Sequence, residues 1–261
     1  MRTQKSHGSI NKMIYQGSKA KLRQYIVPVL QDCIDRHGVT EYVEPFVGGA
    51  NIIDHIRCEI REGFDNNPEL IALLRYMQDN PKLEIAPDHC SFEHYKDVRQ
   101  NRKNNTGKYS TEYTALIGYF ASYGGRYFDG GYGRDSKGGR EIYAERLKYA
   151  REQAPLLSDI KFACFDYREL NNCEISREVV MYLDPPYKGT KTYNGGKFNH
   201  EEFYDFARSI SGKCYVFISE FDMPPDFKCV WSKERKLLQK SDRKKGDIAV
   251  ERLYTIGLSA E

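Results

Sequence analysis

The residues of this chain best suited to chemistry stand together in Asp184-Pro185-Pro186-Tyr187. A carboxylate, two rigid prolines and an aromatic ring suit the transfer of a methyl group to an exocyclic amino nitrogen. The lone pair of such an amine is delocalised into its ring, so the nitrogen is a poor nucleophile. Asp184 and the Pro185 carbonyl can each accept one N–H hydrogen bond, which favours a pyramidal nitrogen with its lone pair turned toward a methyl donor. Tyr187 offers a face for stacking the ring, and Pro185 and Pro186 hold the acceptors in place before a substrate arrives. Taken as four residues alone, the segment equally describes a strand that ends in an ordinary Pro-Pro turn.

Val179 to Leu183 is an apolar run, partly β-branched, that the prolines stop, and it reads as a buried strand. Open α/β sheets bind ligands beyond the carboxyl ends of their strands. Other strand ends are therefore the next places to look. Glu41 to Ala50, with Glu44, Phe46, Gly48 and Gly49, reads as a strand and a glycine turn, followed by a helix over Asn51 to Arg57. Paired glycines let a ligand approach the backbone closely. The segment lacks G-x-G-x-x-G, which disfavours a nicotinamide or flavin dinucleotide. Asp65, followed by Asn66, ends another expected strand 17 residues beyond Gly48. A carboxylate at about 20 residues binds ribose hydroxyls in nucleoside sites. Asp65 also falls in the N-cap region of the helix holding Leu70 to Leu74.

Earlier in the chain, Tyr15-Gln16-Gly17-Ser18-Lys19 leads into a helical repeat from Leu22 to Leu30. Gly17 and Ser18 could present N–H groups, and Lys19 a cation, to an anion. Asp159 to Tyr167 reads as a strand ending in the acid Asp166 and the ring of Tyr167. Asn199 opens an amphipathic helix, Cys214 to Ser219 reads as a buried strand, and Phe227 to Trp231 pairs with Ile248 to Gly257 in a final antiparallel ribbon.

From Asn80 to Ala154 the character differs. Polar residues dominate up to Tyr113, an apolar helical stretch runs to Ala121, and Ser122 to Asp135 interleaves glycines with Tyr, Phe and Arg. Such a loop or hairpin can follow a groove while Arg126 and Arg134 reach guanine edges or phosphate and Tyr123 and Tyr127 wedge or stack. Residues 80–154 are expected to form an inserted target-recognition domain, with 12–79 and 155–261 as the catalytic domain.

The net charge is only +3, but Lys233 to Lys245 holds seven basic residues, Arg243, Lys244 and Lys245 among them, and Lys96 to Lys108 holds five. Runs of this kind mark a polyanion-binding face or a solvated loop. Seven cysteines without a C-x-x-C pair favour a reduced, cytoplasmic setting over disulfides or zinc. His89 and His94 flank Cys90 at a spacing that matches no metal pattern, so no metal is expected. No apolar run approaches the roughly 18 residues of a membrane span, and no signal-peptide core is present, so no membrane partner is expected.

In order and spacing these features resemble the alpha group of DNA N6-adenine methyltransferases of the Dam type, as a phage or prophage member, over residues 12–256. Tyr15 to Lys19 resembles the family's G-G-K segment, Glu44 to Gly49 its cofactor loop, and Asp65 its ribose-binding acid. Asp166-Tyr167 resembles the pair that holds the cofactor's adenine, and Asp184 to Tyr187 the catalytic motif. The resemblance implies a Rossmann-like class I S-adenosylmethionine-dependent methyltransferase fold, α/β, with a mixed seven-stranded sheet and an inserted, mainly helical DNA-recognition domain. It implies S-adenosylmethionine as methyl donor and duplex DNA as partner, with an adenine flipped out of the stack. Two readings compete with it, an amino-methyltransferase acting on cytosine N4 or RNA adenine and a catalytically inactive nucleic-acid-binding module. Ser18 replaces the second glycine of G-G-K, and Ser122 to Asp135 does not reproduce the Dam-type recognition hairpin, so the target sequence does not transfer.

Overall fold

The computed structural model describes residues 13–134, 142–188, 198–236 and 248–257. Seven strands form one mixed sheet. They are β1 (Glu41–Glu44), β2 (Ile60–Asp65), β3 (Ile160–Cys164), β4 (Val179–Leu183), β5 (Tyr215–Glu220), β6 (Lys228–Lys236) and β7 (Ile248–Ile256), in the order β3-β2-β1-β4-β5-β7-β6. β1 pairs in parallel with β2 and β4, and β4 in parallel with β5. β7 runs antiparallel to both β5 and β6. This is the α/β sheet with an antiparallel last strand expected from the sequence. All five residues of β4 are buried, as suits a central parallel strand covered on both faces.

The chain divides into two compact units. One comprises Met1–Arg23, Gly48–His55 and Asn67–Cys164, and the other Gln24–Val47, Ile56–Asn66 and Phe165–Glu261. The second carries six of the strands. One of its cores joins Val43, Met181, Leu183, Val216 and Ile218 to the inner face of α6 (His200–Ile210), which buries Phe203, Phe206, Ala207 and Ile210. Each large apolar side chain so buried contributes about 1.5–3 kcal/mol. Asn199 caps α6 by accepting from Glu202 N, and Phe198 just before it packs on Phe203 with ring centroids 5.6 Å apart. That contact, from the residue before the cap to the fourth helical residue, fixes the entry of the chain into the helix.

The first unit is mainly helical among its described residues. α2 (Pro68–Asp79) packs on α4 (Thr111–Phe120), and α3 (Phe92–Asn104) also packs on α4. Asn67, Ser91 and Ser110 cap the three helices through side-chain oxygens, and Pro68 takes the first position of α2. α5 (Ile142–Gln153) follows, with Arg146 buried against the end of α4. Its guanidinium donates to the carbonyls of Tyr119, Phe120 and Ser122, covering backbone acceptors that the helix leaves open. Burial pushes the Arg146 pKa down to about 10.

Three expectations are corrected. Asn51 to Arg57 is not a helix but a loop with one 3-10 turn at Ile53–His55. Ala50 sits at φ 53° and the Asn51 side chain donates to the Met13 carbonyl, so the backbone leaves the glycine turn in the wrong direction for a helix. α1 (Arg23–His37) starts beyond Leu22 and runs past Leu30, because Ile26, Leu30, Cys33 and Ile34 keep its buried stripe going until Gly38 at φ 63°. β6 continues to Lys236, so the basic run begins on a strand rather than in a loop. Arg243, Lys244 and Lys245 lie outside the described residues.

Candidate active site

In the second unit the parallel strands β2, β1, β4 and β5 end side by side. Glu44 and Phe46 stand at and just beyond the end of β1, Asp65 and Asn66 at that of β2, and Asp184 to Tyr187 at that of β4. Backbone bonds tie these ends together. Val47 N donates to Phe64 O at 2.8 Å, and Phe165 N to Asp65 O at 3.1 Å, which sets Asp166 beside Asn66. Asn67, not Asp65, caps α2, accepting from Glu69 N and Leu70 N. Asp65 is the half-buried last residue of a strand.

Around the tetrad the structure supplies partners that the sequence did not announce. The Tyr187 hydroxyl donates to Glu251 Oε2 at 3.0 Å, and its ring meets Phe221 edge-on with centroids 4.7 Å apart. Lys188 N donates to Glu220 Oε2 at 3.1 Å. Glu44 accepts from the Tyr42 hydroxyl at 2.7 Å, and Tyr182 shares a hydrogen bond with Ser219 at 2.7 Å. Glu44, Glu220 and Glu251 are all buried. Burial, with the negative charge of Asp184 and then Glu251 nearby, pushes the Tyr187 phenol well up, so it stays a neutral donor.

Asp166 heads the short 3-10 turn at Tyr167–Asn172 and takes Arg168 in a two-pronged pair, at 2.8 and 2.7 Å. Those bonds hold its carboxyl below the usual carboxylate range against a smaller opposing effect of burial. Tyr167 is a core residue, enclosed by Phe46, Phe198, Phe203 and Phe206. The rings of that cluster that retain some exposure are Phe46 and Phe198.

In the first unit Tyr15 lies over the glycine turn. Gly48 sits at φ 49°, and a side chain there would come within 3.0 Å of the Tyr15 ring, while one at Gly49 would crowd Asn51 and the Tyr15 Cβ. The two glycines are thus required by the chain's own packing. Buried Gln153 fastens the turn: Nε2 donates to Gly49 O, Ala50 O and Asp54 Oδ2, and Oε1 accepts from Met13 N. Gln16 and Gly17 form a tight turn, and Lys19 is buried with Nζ on the Gly17 carbonyl at 3.1 Å. They precede α1 by several residues, so Gly17 and Ser18 are not its N-terminus.

The loop from Ser122 is pinched at its base by an antiparallel bridge from Ser122 to Tyr132, with Tyr123 N on Gly131 O at 2.8 Å. Tyr123, Arg126 and Arg134 are exposed. Tyr127 is not. It is buried at 8 % exposure beside Gly118 of α4, where any side chain would overlap its ring, and its hydroxyl accepts from Arg102 Nε. The expectation of a DNA-facing Tyr127 is corrected on that ground.

Residues 15–221 match the family described as D12 class N6 adenine-specific DNA methyltransferase. The chain belongs to that family. The type II methyltransferase M.FokI of Planomicrobium okeanokoites is 27 % identical over 198 residues, covering 70 % of this chain and 30 % of that protein. The chain therefore spans under a third of that relative's length. Among solved structures, the putative methyltransferase yhhF from Escherichia coli aligns at 6 % identity over 92 % of this chain and 85 % of its own, with a TM-score of 0.36. An rRNA methylase from Streptococcus thermophilus aligns at 8 % identity over 90 % and 94 %, with a TM-score of 0.34.

Sequence reasoning about this family member missed Glu220, Glu251, Phe221, Gln153 and Phe198. Only Phe198 carried a signal, an aromatic residue just before a helix-capping asparagine and five residues before another aromatic. The others are isolated residues whose partners are 32 to 140 positions away.

Proposed function

We propose that the protein is a DNA adenine-N6 methyltransferase that uses S-adenosylmethionine and acts on an adenine flipped out of duplex DNA. The observation that carries this reading is the position of Asp184-Pro185-Pro186-Tyr187 at the carboxyl end of the central parallel strand β4, in a chain of this family. When bound, S-adenosylmethionine supplies an electrophilic methyl carbon on a sulfonium.

The residues present suit such a donor. Asp65 and Asn66 offer a carboxylate and an amide for ribose hydroxyls at the end of β2. Phe46 and Phe198 offer partly exposed rings to a purine, and the Arg168-paired Asp166 beside Asn66 is the acid of that neighbourhood. Tyr167 acts from beneath, as support for Phe46. Glu44, at the end of β1, completes the set that the second unit offers the donor.

On the target, the Asp184 carboxylate and the Pro185 carbonyl each accept one N6 hydrogen, which localises the nitrogen lone pair. The carboxylate also stabilises the positive charge that grows on N6 as the new bond forms. The prolines keep both acceptors fixed, and Tyr187 supplies the stacking ring, itself oriented by Glu251. Extruding the base costs a few kcal/mol, which groups on the exposed loop of Tyr123, Arg126 and Arg134 offset by binding the duplex. Arg243, Lys244 and Lys245 add phosphate contacts, and the setting is the cytoplasm of a bacterial or phage-infected cell.

Duplex DNA and RNA incubated with the protein and isotope-labelled S-adenosylmethionine, then digested to nucleosides and analysed by mass spectrometry, test this. Labelled N6-methyldeoxyadenosine is expected. Label in N4-methyldeoxycytidine or only in RNA, or no label at all, overturns it. Sequencing that detects N6-methyladenine then identifies the site.

A further inference from the structure

The five basic residues between Lys96 and Lys108 fall into two kinds. Arg102 donates to both Glu69 oxygens, at 2.6 and 2.8 Å, and Lys108 donates to Asp97 Oδ2 at 2.6 Å. These two are spent on internal pairs. Lys96, Arg99 and Lys103 are exposed and pair with no carboxylate among the described residues.

All three lie on α3, at spacings of three and four residues, so they share one stripe with Phe92. Glu93 lies about 60° around the helix from Lys96 without pairing with it, and Asp97, about 100° away, pairs with Lys108. Lys96 Nζ lies 5.0 Å from the Phe92 ring centroid, and the Arg134 guanidinium lies 4.8 Å from the same ring. The stripe thus reads Arg134, Phe92, Lys96, Arg99, Lys103.

Like charges three and four apart destabilise a helix by about 0.2–0.5 kcal/mol per pair. A row without carboxylate partners is therefore slightly unfavourable by itself, and an external anion would relieve the repulsion. Its shape selects which anion. Lys96 to Lys103 covers about 10 Å of helix at about 1.5 Å per residue, and one DNA strand presents a phosphate about every 3.4 Å of duplex axis. Cations spread in line over about 10 Å suit a linear series of backbone phosphates rather than a single one. A small phosphorylated metabolite would need them gathered at one point.

We propose that α3 is a phosphate-tracking element that grips the backbone of duplex DNA through Lys96, Arg99 and Lys103, with Arg134 extending the row. This rests on DNA being the substrate. The stripe fixes orientation on the duplex and reads no bases, since phosphate contacts carry no sequence information.

The test is fluorescence anisotropy of a labelled duplex with the full chain, between about 50 and 200 mM salt. Each lost phosphate contact removes about 0.9 from the slope of log K against log salt. The triple variant K96Q/R99Q/K103Q should flatten the slope by about 2.7, while leaving S-adenosylmethionine binding by calorimetry within about twofold. The single variants should each remove about 0.9, which keeps the test valid if the triple variant folds poorly. K108Q, which removes an already paired cation, should leave the slope within about 0.3. A wild type that binds duplex with single and triple variants of unchanged slope overturns the assignment of α3 alone. A wild type with no salt-dependent duplex binding overturns the DNA reading and this inference with it.

Discussion

The Tyr187 hydroxyl donates to Glu251 Oε2 at 3.0 Å, and this buried pair ties the end of the Asp-Pro-Pro-Tyr segment to the antiparallel strand β7. Glu220, at the end of β5, accepts from the next backbone N–H, that of Lys188. Two carboxylates from two neighbouring strands thus clamp the segment from one side. A ring held this way needs no reordering when a base arrives, and misplacement by about 1 Å can cost about 100-fold in rate.

Glu251→Ala should therefore lower kcat by about 10- to 100-fold, with S-adenosylmethionine affinity within about threefold. Glu251→Gln, which can still accept the hydrogen bond, should recover most of the rate. Tyr187→Phe combined with Glu251→Ala should cost little more than either alone, because both remove one interaction. Single-turnover methylation measures all three, and a wild-type rate in Glu251→Ala would refute the positioning role.

Asp184→Ala should reduce methylation by about 1,000-fold or more, since it removes both a hydrogen-bond acceptor and the charge that balances N6 in the transition state. Donor binding should weaken by less than about tenfold. Measurable turnover near the wild-type level would remove Asp184 from the chemistry.

Asp65→Ala should raise the donor KM by about tenfold and leave kcat within about threefold, because its proposed partner is a ribose and not the reacting centre. The steady-state dependence on donor concentration decides this. A drop in kcat at unchanged KM would point to a role in chemistry instead.

Gln153→Ala should destabilise the fold by about 3 kcal/mol or more. It strands the Met13 N–H and the carbonyls of Gly49 and Ala50 in the interior, and each unsatisfied buried group costs about 1–3 kcal/mol. Urea unfolding reads the loss directly. A shift below about 0.5 kcal/mol would show that water or a rearranged backbone replaces these bonds.

The Asp166–Arg168 pair predicts a pH dependence. Its hydrogen bonds hold the Asp166 pKa below the ordinary 3.8, so the charged carboxylate is favoured in the folded chain. That contribution is fully present above 3.8 and is lost as pH falls through the lower folded value. The difference in melting temperature between wild type and Asp166→Asn should be constant at neutral pH and close on acidification below 3.8. A gap that persists at the lowest pH would mean that the asparagine perturbs packing rather than charge.

Legibility followed the range of the interactions. The β4 strand, its proline stop, the acid at the end of β2 and the amphipathic α6 were readable because each is a local pattern of apolar period, rigid residue and cap. The helix expected over Asn51 to Arg57 failed because its fate rests on Met13, a residue 38 positions away that engages Asn51. Tyr127 looked like a surface ring among glycines. Its burial depends on Gly118, whose missing side chain makes room in α4.

The sequence by itself determined the chemistry on offer: a carboxylate and two prolines at a strand end, acids at neighbouring strand ends, and a charge run on α3. These follow from residue type and short spacing. Only the tertiary structure decided which groups are already committed, pairing Tyr187 with Glu251, Arg102 with Glu69 and Asp166 with Arg168 while leaving Lys96, Arg99 and Lys103 in a row facing solvent. The physical reason is that a side chain's availability depends on desolvation and on partners brought in from distant parts of the chain, and neither quantity is encoded within a short window of residues.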